Sequence, residues 1–169
     1  MSSNFFTPDG AAYSSDRDNW ETPQTLFDQL NAHYHFTIDV AANEQNHKTA
    51  CYYTKADDGL SLPWTGHRVW CNPPYGRGVT ARWVEKAYRE MAENNVLTVM
   101  LIPARTGTTY FYKHILGKTS ICFLKGRLKF ELNGQAGDSA PFDSMIVVFA
   151  PDTLPRIVGT IEELEKGEQ

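Results

Sequence analysis

One apolar run constrains this chain more than any other. Residues 95–104 read NVLTVMLIPA, with a single polar side chain, Thr98, inside the apolar stretch. A run this short does not span a membrane, and it does not alternate as a half-exposed strand would. It fits a central strand covered on both faces. The sixteen residues before it, VTARWVEKAYREMAEN, place Val79, Trp83, Ala87 and Met91, with Val84 and Tyr88, on one face at helical spacing, so Trp83, Tyr88 and Met91 read as core.

The same alternation runs through the rest of the chain. TPQTLFDQLNAHY predicts a helix, with Thr22 as N-cap, Pro23 at the first helical position, and Leu26, Phe27, Leu30 and Tyr34 as the apolar stripe. Strands are expected over 36–40, 51–54 and 68–72, and a short helix over TTYFYKHILG ended by Gly117. Two strands follow around Lys125-Gly126 and a last one over 144–150. This order implies an α/β sheet, mostly parallel, with antiparallel C-terminal strands. Residues 1–19 read as a flexible arm, 20–151 as the domain and 152–169 as an acidic tail, loose or a short surface helix.

In such sheets ligands bind beyond the carboxyl ends of the strands. That rule gathers the loops after Val40, around Asp57 and Asp58, at Asn72-Pro73-Pro74-Tyr75, and over 103–109. The Asn-Pro-Pro-Tyr loop is unusual chemistry. Two prolines remove two backbone donors and fix two φ angles. The Asn72 side-chain oxygen and the Pro73 carbonyl are then two fixed acceptors, able to grip one NH₂ group, with the Tyr75 ring beside them to stack on a planar group. Such nitrogens are weak nucleophiles, and acceptors that favour a developing positive charge help them react.

Composition narrows the field further. No secretory start is present, and no run of about 18 apolar residues that would suit a transmembrane helix. Cys51, Cys71 and Cys122 are scattered and odd in number, which favours a reducing compartment, and no Cys/His spacing suits zinc, so no metal is expected. The net charge is −4, but it is polarised along the chain. Residues 1–60 hold nine acidic and three basic residues, whereas 94–130 hold Arg105, Lys113, Lys118, Lys125, Arg127 and Lys129 and no acid.

The Asn-Pro-Pro-Tyr loop after an apolar strand resembles the catalytic motif of amino-directed S-adenosylmethionine methyltransferases. WETPQTLFDQL, FTIDVAAN, YYTKADDGLSLPW, VWCNPPYGR, WVEKAY, IPARTGTTYF, LKGRLKF and APFDSMIVVF follow in the order and spacing of phage-type, Dam-like DNA N6-adenine methyltransferases, over roughly residues 20–151. The resemblance implies a single Rossmann-like class I methyltransferase domain of reduced size, S-adenosylmethionine as cofactor, duplex DNA as partner, a monomer or homodimer, and a cytoplasmic location, in the host cell if phage-encoded. It implies that Asn72, Pro73, Pro74 and Tyr75 hold the target amine and stack on its ring. Asp39, Ala41 and Ala42 would lie beside the methionine part, with Thr22 and Pro23 offering donors to its carboxylate. Asp57 or Asp58, Asp57 by preference, would accept from the cofactor's adenine amine. Arg77, Arg105, Lys125, Arg127 and Lys129 would meet phosphates. The usual glycine-rich cofactor loop is replaced here by Asp-Val-Ala-Ala, and Gly107 stands where an acidic residue is expected.

Several alternatives stay open on the residues alone. Trp20 covers the cofactor cleft or anchors the arm. Asp57 and Asp58 are equally suited to a solvated turn, and the basic cluster to a solvated strand face. The same four-residue loop serves RNA adenine or a protein glutamine, and a non-catalytic DNA-binding module on this scaffold is a third reading.

Overall fold

The computed structural model describes residues 20–151 and 156–163. The arm expected over 1–19, and parts of the tail, lie outside them.

The element order is α1 (Gln24–Tyr34), β1 (Ile38–Asp39), β2 (Arg68–Cys71), α2 (Val79–Asn94), β3 (Leu97–Pro103), a π-helical turn (Phe111–Ile115), β4 (Ser120–Phe123), β5 (Lys129–Leu132), β6 (Gln135–Ser139), β7 (Ser144–Phe149) and β8 (Val158–Gly159). Six strands form one sheet in the order β1-β2-β3-β7-β4-β8. β1, β2 and β3 run parallel, and β7 inserts antiparallel between β3 and β4. The chain after Pro151 returns to this sheet, where β8 lies parallel to β4. The α/β sheet is the expected one, and every residue of β3 is buried, as its apolar run requires.

The sheet is packed on both faces. Phe27, Leu30 and Tyr34 of α1 are buried, and Phe27 and Phe36 close on Trp70 of β2 at 5.5 Å between ring centroids. Trp83, Val84, Ala87 and Met91 of α2 are buried, but Val79, at the start of the helix, is exposed. Glu90 is also buried on α2. Its carboxylate accepts from Lys86 at 2.5 Å and Asn94 at 2.9 Å, which compensates the buried charge.

Two local expectations are corrected, and two hold with added detail. Residues 51–54 form no strand: Tyr52 makes one isolated parallel bridge to Asp39, so this outer edge of the sheet is a loop. Pro23, with ψ at 130°, is the N-cap of α1, and Thr22 precedes it without capping. The 111–115 segment is a π-helical turn. The two strands near Lys125-Gly126 do not pair with each other. β4 joins the main sheet, while β5 pairs with β6 in a separate hairpin. The reason is the Asn133-Gly134 turn, whose φ angles of 53° and 75° are those a two-residue hairpin requires.

Candidate active site

The carboxyl ends of β1, β2 and β3 point to one edge, which brings the loops 40–43, 72–75 and 104–109 together. A cavity of about 650 Å³ opens there, within the size range of small-molecule sites. Its walls include Trp20, Thr22, Asp39, Ala41, Ala42, Asp58, Asn72, Pro73 and Pro74. Most of the residues that the Dam-like resemblance assigns to the cofactor and to the methyl acceptor therefore line one space. Asp57, Pro23 and Tyr75 are not in its lining.

Asn72 is held at both ends of its amide. The nitrogen donates to the Trp20 carbonyl at 2.5 Å and to Thr22 Oγ1 at 3.1 Å, and the oxygen accepts from the Tyr75 hydroxyl at 2.5 Å. These partners define which end is oxygen, and the oxygen keeps one lone pair for a ligand. Tyr75 also reaches the Leu101 carbonyl at 3.0 Å, and burial pushes its phenol well above the usual range. The phenol is a positioning donor, not a base. Among the described residues nothing donates to the Pro73 carbonyl. Thr80 Oγ1, at 3.4 Å from the Pro74 carbonyl, ties the loop to the first turn of α2.

The expected stacking face of Tyr75 is covered. Its ring is only 8% exposed and lies 6.0 Å from Phe130 and 5.6 Å from Phe142, both edge-on. Trp20 joins the same cluster, 5.1 Å from Phe130 and 5.4 Å from Phe142. Trp20 thus walls the cavity and anchors the β5–β6 hairpin at once. Glu131 completes the attachment: its N–H donates to the Glu21 carbonyl at 2.8 Å, and its carboxylate accepts from the Gln24 N–H at 3.0 Å. The first amide of α1 is thus taken by a carboxylate of the chain itself, and Thr22 Oγ1 accepts from Asn72.

Asp39 sits at the end of β1, 3% exposed. It accepts from the Ala41 N–H at 3.3 Å and the Lys48 N–H at 3.1 Å. Desolvation outweighs these bonds and the nearby Lys48 charge, pushing its pKa up to about 6. The folded chain then binds a proton that the unfolded chain, at 3.8, does not. Stability from this group therefore falls as pH rises from about 4 to 6, with a full range of about 3 kcal/mol. We expect the stability difference between the parent and Asp39→Asn to move in the parent's favour on acidification across that window, measured by denaturant unfolding at stepped pH. A pH-independent difference would refute the assignment.

The two aspartates near Gly59 separate. Asp57 turns its carboxylate back onto the Thr54 N–H and hydroxyl, both at 2.7 Å, which lowers its pKa. Asp58, at φ 57°, lines the cavity. Geometry thus favours Asp58 over Asp57 for contact with a ligand. Arg77, Arg105, Lys125, Arg127 and Lys129 are all exposed, and among the described residues none pairs with a carboxylate.

A model of the family described as DNA N-6-adenine-methyltransferase (Dam) matches residues 10–169. The chain belongs to this family. It is 31% identical over 130 residues to the DNA N-6-adenine-methyltransferase of Escherichia phage T1, covering 76% of this chain and 51% of the relative. It is 27% identical over 143 residues to the DNA N-6-adenine-methyltransferase of Haemophilus phage HP1, covering 81% of each. The Dam-family chain thus spans about half the length of the phage T1 relative and most of the phage HP1 one.

Several residues of the site escape sequence reasoning, Lys48 among those that line the cavity. Phe130 and Phe142 cover Tyr75, although Phe130 stands in RLKFEL, whose sequence signal is its charges. Trp83 reads as core, and it is, yet its ring also walls the cavity. Gly59 lies buried beneath the Val40 carbonyl, where an added Cβ would stand 2.3 Å from that oxygen. A glycine after two aspartates reads as a turn, and nothing in the sequence signals the contact.

Proposed function

We propose that this chain transfers a methyl group from S-adenosylmethionine to N6 of adenine in duplex DNA, as a monomer or homodimer acting in the cytoplasm of the cell that holds the DNA. The carrying observation is that Asn72 and Pro73, two acceptors at the end of β2, open into the same cavity as the Asp39–Ala42 turn at the end of β1. Family membership agrees with it.

The donor set fits the cofactor. Asp39 is a buried carboxylate suited to an ammonium or sulfonium charge, Ala41 and Ala42 leave room for close backbone approach, and Asp58 can accept from an amine. When bound, the cofactor supplies an electrophilic methyl group. The chain's own residues do the rest. Asn72 Oδ1 and the Pro73 carbonyl take the two N–H bonds of the adenine amine and favour the positive charge that grows there. The Tyr75 hydroxyl, the Trp20 carbonyl and Thr22 keep the Asn72 amide in register.

Reaching an adenine inside a duplex means taking it out of the stack, at a cost of a few kcal/mol. Phosphate contacts from Arg77, Arg105, Lys125, Arg127 and Lys129 offset that cost.

The test is direct: incubate the purified chain with labelled S-adenosylmethionine and unmodified duplex DNA, then digest to nucleosides. Label in N6-methyladenine is expected. Label appearing instead in RNA or in protein glutamine would move the reading to those substrates. Absence of label from every acceptor would leave a non-catalytic binding module.

A further inference from the structure

We propose that Lys48 binds the α-carboxylate of the cofactor, an assignment that rests on the reading of the cavity as an S-adenosylmethionine site. The methionine end of that cofactor carries an ammonium and a carboxylate on one carbon. A site for it must present an anion and a cation close together. The cavity does so with Asp39 and Lys48, whose positions are linked because the Lys48 N–H donates to Asp39 Oδ2 at 3.1 Å.

Four observations single out Lys48. Its ammonium group has one hydrogen bond, to the neutral Gln24 Oε1 at 2.9 Å, and among the described residues it pairs with no carboxylate. It is half-buried, so water compensates its charge only in part. The rival donor, the Gln24 N–H at the start of α1, is already held by Glu131. The other cation in the lining, Lys55, is exposed and stands in the same turn as Asp57 and Asp58. A carboxylate at Lys48 would replace a neutral acceptor with a charged one, and charge-assisted bonds are the stronger kind.

Calorimetry with the full chain separates this from general damage. Two ligands are used: S-adenosylmethionine and its decarboxylated form, which keeps the adenosine, the sulfonium and the amine. Lys48→Met should weaken the first about tenfold or more. It should leave the second within twofold of the parent, and Lys48→Arg should retain most of the affinity. The backbone N–H that holds Asp39 survives both substitutions. Equal loss for both ligands, or loss for neither, overturns the assignment. If Lys48→Met does not fold, the parent alone decides: it should prefer the carboxylated ligand by about tenfold, and equal affinity overturns the proposal. A parent that binds neither ligand removes the cofactor reading itself, and Lys48 with it.

Discussion

Asn72→Ala is expected to slow methyl transfer about 100- to 1,000-fold while leaving S-adenosylmethionine affinity nearly unchanged. The side chain contributes one acceptor at the end of β2, and the fold spends three partners on aiming it: the Trp20 carbonyl, Thr22 and the Tyr75 hydroxyl. Truncation removes the acceptor and leaves the buried Tyr75 hydroxyl with the Leu101 carbonyl alone. Asn72→Asp tests the aiming. It keeps the oxygens but has no donor for the Trp20 carbonyl, so two acceptors meet where a 2.5 Å bond stood. That variant should lose rate as well and should melt below the parent. Single-turnover rates, cofactor calorimetry and thermal unfolding would be measured side by side. A rate within threefold of the parent for Asn72→Ala would remove Asn72 from the reacting centre.

The cover on Tyr75 bears on the same step. A base that stacks on this ring has to displace Phe130 or Phe142, which now sit edge-on against it. Both belong to the segment between β4 and β7 that also carries Lys125, Arg127 and Lys129. The exposed basic residues and the aromatic cover are thus parts of one segment, so on the proposed reading DNA drawn toward these charges would meet the cover on Tyr75 at once.

How much of this was legible in the sequence depends on the range of each contact. The helices and β3 follow from local periodicity, because an apolar stripe or run reports directly which faces are buried. The Asn-Pro-Pro-Tyr loop is legible for the same reason: its stiffness is written in four consecutive residues. The position of β7 between β3 and β4 is not, since nothing local tells a strand which neighbours it will pair with. The hairpin of β5 and β6 has a local signal in Asn133-Gly134, a pair suited to a two-residue turn with both φ angles positive. The aiming of Asn72 joins residues 52 and 50 positions apart, and Glu131 reaches Gln24 across 107. Such pairs exist only once the chain is folded. Asp57 and Asp58 show the finest limit: adjacent and alike in sequence, they part because one carboxylate closes a turn on Thr54 while the other residue, at positive φ, lines the cavity.

Gly59→Ala is expected to reduce S-adenosylmethionine affinity at least about 100-fold, or to prevent folding, with a stability loss of about 2–4 kcal/mol. The backbone conformation of Gly59 is open to any residue; the obstacle is space. A Cβ there would stand 2.3 Å from the Val40 carbonyl oxygen and 3.1 Å from the Trp83 ring. Neither neighbour can yield cheaply. Val40 N–H donates to the Trp70 carbonyl at 3.2 Å, which fixes the turn that carries Asp39 and Ala41. Trp83 stacks on Trp64 at 6.2 Å, and Trp64 in turn donates its indole N–H to the Gly59 carbonyl at 2.9 Å. One methyl group therefore pushes the turn after β1 and the tryptophan pair apart together. Thermal unfolding and cofactor calorimetry read the two effects, and Gly66→Ala is the control. Gly66 has a φ of 83° but nothing within 4 Å of an added Cβ. Its replacement should cost stability through backbone strain alone and leave cofactor affinity intact. If Gly59→Ala binds the cofactor like the parent, the close approach of residues 40 and 59 does not shape the site.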